Sequence, residues 1–144
     1  MTLKGYSAGS LTPVPSEEPT SAYGASQSNR LIGSILLIQN NKFEEAYQLL
    51  LNLSQSDEDE AARQNLLGFT ARSFGNYAAA AEHYKIALNI DPTNSDALEY
   101  QGELFLTIGD IKNAKINLQK LKEQCFLICP TQYQQLKDAI SQAQ

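Results

Sequence analysis

The chain has 144 residues, of which 42% are hydrophobic and 19% charged, with a formal net charge of -5 and a pI near 4.8. That balance fits one soluble globular domain with a modest core and excludes a wholly disordered chain. It lacks the basic footprint that a phosphate backbone requires, and no stretch approaches the roughly 18–20 apolar residues that cross a bilayer, so neither nucleic acid nor a membrane span is expected.

Residues 1–26 read as an N-terminal tail. The run from Gly9 to Ser21 is rich in Pro, Ser, Thr and Glu and has no apolar periodicity with which to offset its ordering entropy. Tyr6, Leu11, Val14 and Tyr23 are its scattered apolar points. The tail is either flexible or a segment that docks on a surface through those four residues. It contains no apolar core of a secretory leader, so a cytoplasmic location is expected, with a periplasmic or exported one as the alternative if the chain is processed.

Helical patterning starts near Ser28. Leu31, Ile32, Ile35, Leu36 and Ile38 form a first apolar cluster, Asn40-Asn41 breaks it, and Phe43, Ala46, Tyr47, Leu49, Leu50 and Leu53 start a second amphipathic run. The acidic stretch Asp57-Glu58-Asp59-Glu60 suits the first turn of the next helix, where negative charge meets the positive end of the helix dipole. It lacks the spacing and central glycine of a calcium loop.

Self-similarity at a step of 34 residues organises the rest. With Ala61 as position 1, Leu67-Gly68 occupy positions 7 and 8, Gly75 position 15, Tyr77 position 17, Ala80 position 20, Tyr84 position 24, Ala87-Leu88 positions 27 and 28 and Pro92 position 32. One step on, Gly102, Phe105, Gly109, Ile111, Ala114, Leu118 and Leu121 take the corresponding places. One step back, Phe43, Ala46, Leu50 and Leu53 do so, with Gly33-Ser34 at positions 7 and 8 and Asn41 in place of the glycine. These residues resemble the tetratricopeptide repeat. The resemblance implies an all-α, right-handed α-solenoid over residues 27–144. It would have three helix-turn-helix repeats, a degenerate one at 27–60 and two at 61–94 and 95–128, plus a C-terminal capping helix at 131–142.

Each repeated residue has a physical role to play. Gly68 and Gly102 are small where the first helix of a pair crosses the second, and Ala80 and Ala114 are small on the other side of that crossing. Gly75 and Gly109 suit a left-handed residue that ends the first helix. Asn76 and Asp110 are N-cap residues for the second helix, Pro92 stops it, and Thr93 with Asp96 has the spacing of a capping pair for the third unit. Phe126 stands where the third unit should have its proline, so that unit's second helix is expected to run past the usual stop. After Pro130, Thr131 and Gln134 have capping-box spacing, and Tyr133, Leu136, Ala139 and Ile140 mark one face of the closing helix.

In such repeats the first helices line a concave face. Carried over by position, the lining residues are Leu31, Ile35 and Ile38, then Asn65, Phe69 and Arg72, then Glu99, Glu103 and Leu106. The floor is expected to be apolar at one end and acidic at the other. It would suit another protein's peptide or amphipathic helix with a basic end, and the alternative is that Leu31, Ile35 and Phe69 are core. One subclass clamps a C-terminal carboxylate with basic residues. Here the clamp positions hold Leu31, Ile35, Leu66, Asp96 and Tyr100, which disfavours that ligand. The degenerate first unit leaves self-association open.

Cys125 and Cys129 are four apart and share a face if the helix continues. They are buried small residues, a disulfide or soft-metal thiolates, though one histidine, His83, leaves no further ligand set for a metal. The order Leu118, Leu121, Cys125, Cys129, Tyr133, Leu136, Ala139-Ile140 resembles the tail of small bacterial tetratricopeptide proteins, many of them exported. No nucleophile elbow, phosphate loop, zinc-protease or dinucleotide fingerprint occurs, and Glu99 with Glu103 lack the pocket of a catalytic carboxylate pair. The expectation is therefore a non-enzymatic adaptor or accessory subunit without cofactor or metal. A redox or soft-metal role through Cys125 and Cys129 is the alternative.

Overall fold

The computed structural model describes residues 29–144, so the tail at 1–26 lies outside the described residues. These form seven α-helices and no strand: α1 (Ile32–Gln39), α2 (Phe43–Asn52), α3 (Glu60–Ser73), α4 (Tyr77–Ile90), α5 (Ser95–Thr107), α6 (Ile111–Glu123) and α7 (Thr131–Gln142). Each of α1 to α6 packs on the next, and α5 also meets α3 and α7, which gives a helical, repeat-like array.

The turns follow from their residues. Gly75 and Gly109 close α3 and α5 at φ of 88° and 82°, and Asn41 does the same for α1 at φ 58°. Asparagine is among the few side chains that visit this region at low cost, which is why it can replace the glycine there. Asn76, Asn94 and Asp110 cap α4, α5 and α6, each accepting a backbone N–H three residues on. The Thr93–Asp96 pair is not a cap: Thr93 donates to Asp91, and Asp96 accepts from Gln132 at 2.7 Å. The Thr131–Gln134 box does not form either, because α7 starts directly after Pro130 without a side-chain cap. Of the acidic run, only Glu60 enters the first turn of α3; Asp59 pairs with Arg30 at 3.4 Å.

The second helix of the third pair stops at Glu123 instead of running on. Cys125 and Cys129 form a disulfide with Cα atoms 4.2 Å apart, closer than the roughly 6 Å that four residues of helix advance. The bridge and a continuing helix are therefore incompatible. Gln124 fixes the base of the resulting loop, accepting from the Ser95 hydroxyl at 2.7 Å and donating to the Thr93 carbonyl at 3.1 Å.

Three apolar clusters run along the array. Leu31, Ile38, Ala46, Leu50, Leu66 and Leu67 form the first. Ala71, Ala80, Tyr84, Tyr100 and Leu104 form the second, and Leu98, Ala114, Leu121, Leu136 and Ile140 the third. Two glycines mark close approaches. A Cβ on Gly68 would lie 2.6 Å from the Tyr84 ring of the paired helix α4, whereas one on Gly102 would lie 2.6 Å from Leu136 of α7. The second glycine thus makes room for the closing helix.

Polar links pin the seams. Arg63 is buried, reaches both oxygens of Glu60 and donates at 2.9 Å to the Leu50 carbonyl, which also accepts the Leu53 N–H at the end of α2. Its hydrogen bonds hold the Glu60 carboxyl below the usual range against the opposing effect of burial. Between α2, α3 and α4, His83 bonds Tyr47 at 3.1 Å and Gln64 at 2.8 Å. With the Gln64 oxygen as acceptor, Nδ1 carries the proton and Nε2 accepts from Tyr47. Burial, and secondarily the Arg63 charge, hold His83 below its ordinary range and so keep it neutral.

Candidate binding site

Asn65, Phe69 and Arg72 fall on one stripe of α3, at i, i+4 and i+7. Glu99, Glu103 and Leu106 fall on the same stripe of α5. Because α3 and α5 touch, the two stripes meet. Arg72 pairs with Glu103 at 2.5 Å. Its guanidinium also lies 5.8 Å from the Phe69 ring centre and 5.9 Å from that of Tyr100, within reach of a cation–π attraction from both rings. The rings are themselves 5.1 Å apart, and Phe43 of α2 sets its edge against Phe69 at 6.1 Å.

Beneath this surface the site is polar and closed. Glu99 is 4% exposed. Burial, and then the neighbouring Glu103 carboxylate, push its carboxyl up to about 9, so Glu99 is a neutral acid near pH 7. Burial likewise pushes the Tyr84 phenol upward, with the Arg72 charge beside it offsetting part of the effect. Asn65 Oδ1 is buried without a hydrogen-bond partner among the described residues, and the buried Tyr84 phenol lies against the Arg72 guanidinium.

The structure sorts the expected lining residues into three groups. Phe69, Arg72 and Glu103 come together, half-buried, with Glu99 packed below them. Asn65 is buried on the same stripe. Leu31 is not a lining residue: it is fully buried among Leu50 and Leu66, and Ile35 and Ile38 pack in that same cluster. Leu106 packs on the third cluster with Leu98 and Leu121. At the expected acidic end Glu99 is buried and the Glu103 carboxylate pairs with Arg72. Tyr100 and Tyr84 also belong to this cluster, although the repeat spacing places neither on the lining stripe. Tyr100 follows Glu99 directly and points toward Phe69 because α5 lies against α3.

Elsewhere, a polar cleft of about 510 Å³ opens beside the loop, lined among others by Asp91, Asn94, Asp96, Cys129 and Gln132. Most of its polar groups are occupied by one another, as in the Asp96–Gln132 bond. It contains none of the expected lining residues. With both sulfurs in the bridge, neither cysteine offers a thiolate, and among the described residues no group of three His, Cys, Asp or Glu converges on one point. Comparisons of the chain with protein-family models, with curated proteins and with solved structures find no match in any of the three.

Proposed function

We propose that the chain is a tetratricopeptide-type right-handed solenoid of three helix pairs and a closing helix that serves as a non-enzymatic protein-binding adaptor or accessory subunit. The observation that carries this reading is the junction of α3 and α5. First helices of successive pairs share one partly exposed group of a ring, a cation and a carboxylate, Phe69, Arg72 and Glu103, with Tyr100 buried beside them. The 34-residue step and the left-handed Gly75 and Gly109 support the repeat assignment.

The ligand that suits the site is a peptide or amphipathic helix of another protein. It would place an apolar side chain against Phe69 and Tyr100 and an acceptor against Arg72, with Glu103 left to meet a donor. The disulfide supports an oxidising compartment, the exported location, over a cytoplasmic one.

Affinity capture from the native source tests this reading, using the tagged wild type beside Phe69→Ala/Arg72→Glu, with circular dichroism to show that both chains are folded. A protein retained by the wild type and lost by the folded double variant is the expected result. Equal retention by both moves the interface off this face.

A further inference from the structure

Phe126, Leu127 and Ile128 are 93%, 88% and 86% exposed. No part of the described chain covers them, and at that exposure they do not cover one another. They form the middle of a five-residue ring closed by the Cys125–Cys129 disulfide and held at its base by Gln124. The ring therefore restrains the backbone that presents three large apolar side chains in a row, and that part of the ordering cost is met at folding.

Charge is also divided along the chain. Between residues 29 and 110 acidic residues outnumber basic ones by more than two to one. Beyond residue 110 the balance reverses. Lys112, Lys115, Lys120, Lys122 and Lys137 are all exposed, and Glu123 and Asp138 are the only acids among residues 111–144. Lys120 and Lys122 stand in the last turn of α6, immediately before the loop. Asp91 and Asp96, across the cleft beside Cys129, accept from Thr93 and Gln132 and have no basic partner among the described residues, so the basic flank of the loop is the α6 side.

We infer that the Cys125–Cys129 loop is a docking tip for an anionic lipid surface, with Phe126, Leu127 and Ile128 entering the apolar layer and Lys120 and Lys122 resting among the headgroups. Apolar insertion and a basic flank are the two signals that together give stable peripheral attachment. A fluid interface can surround three adjacent side chains that do not shield one another, whereas a fixed protein surface must be shaped to all three. The acidic remainder of the chain turns the tip, not the α3–α5 face, toward negative charge. This inference does not rest on the binding role of that face.

The test is sedimentation of the full-length, oxidised chain with vesicles of phosphatidylcholine alone and of phosphatidylcholine with phosphatidylglycerol. The expected result is association with the anionic vesicles that weakens with salt. It should fall at least tenfold in Phe126→Ser/Leu127→Ser/Ile128→Ser and severalfold in Lys120→Glu/Lys122→Glu, with thermal unfolding of both variants unchanged. The chain has no tryptophan, so Phe126→Trp gives a single reporter whose emission shifts to the blue on insertion. Wild-type protein that fails to sediment with either vesicle overturns the inference, as does undiminished binding by the triple variant. Self-association in solution that the triple variant abolishes overturns it too, and makes a second copy the occupant.

Discussion

Around Arg72 the chain places polar groups inside: a neutral Glu99, an amide oxygen of Asn65 and the Tyr84 hydroxyl, all enclosed between α3, α4 and α5. At the Cys125–Cys129 loop it places hydrocarbon outside, on three consecutive side chains. The first arrangement costs stability through desolvation, and packing on every side holds it in place. The second costs little folding energy, because nothing packs on it, and what holds it is a covalent bridge. The two regions therefore differ in what a substitution should reveal: the interior should answer in stability and the loop in binding.

The largest expected effect is Tyr84→Ala. Removing a fully buried ring that lies over Gly68 should lower unfolding free energy by about 3–5 kcal/mol, read by urea denaturation. A loss below about 1 kcal/mol would mean that the ring does not organise the interior.

Glu99 sharpens the contrast through pH. Its folded-state value is raised to about 9 from an ordinary 4.5. Between those limits the folded chain keeps a proton that the unfolded chain has released, so its stabilisation is complete below pH 4.5 and is lost as pH rises toward 9. Stability should therefore fall with rising pH across that window. Glu99→Gln should flatten that fall and raise the melting temperature at pH 8; parallel pH profiles of the two chains would refute the assignment of Glu99 as a neutral acid.

A smaller change is expected from Cys125→Ser/Cys129→Ser. A ring of five residues restrains the unfolded chain by at most about 2 kcal/mol, measurable as the difference in denaturation midpoints under non-reducing conditions. Smallest of all is Phe126→Ser/Leu127→Ser/Ile128→Ser, which should leave stability within about 0.5 kcal/mol of the wild type. A clear loss there would mean that the three side chains are packed in solution and the comparison of the two regions would collapse.

Much of the helical layout is readable from local chemistry. Gly75 and Gly109 are at positive φ, and Asn76 and Asp110 are caps, because each depends only on residues within one turn. Features set by distant partners are not readable in this way. Leu31 has the spacing of a lining residue but is buried by Leu50 and Leu66, which lie one and two helices away. Asp96 has the spacing of a capping partner but is taken by Gln132 on α7, and Gly102 makes room for Leu136 on that same helix. Glu99 reads as a solvated wall until α3 brings the Arg72 group over it. The end of α6 was hidden for a different reason. Two cysteines four apart are compatible with a helix as thiols and incompatible with it as a bridge, and the residues are the same in both cases.

Gln124 makes the loop more than a flexible appendage. By holding both Ser95 and the Thr93 carbonyl, it joins the base of the tip to the turn that launches α5, the helix that carries Tyr100 and Glu103. A change of backbone at the tip is therefore transmitted first to the turn before α5, and the bridge and the α3–α5 face are neighbours along one hydrogen-bonded route even though α6 separates them in sequence.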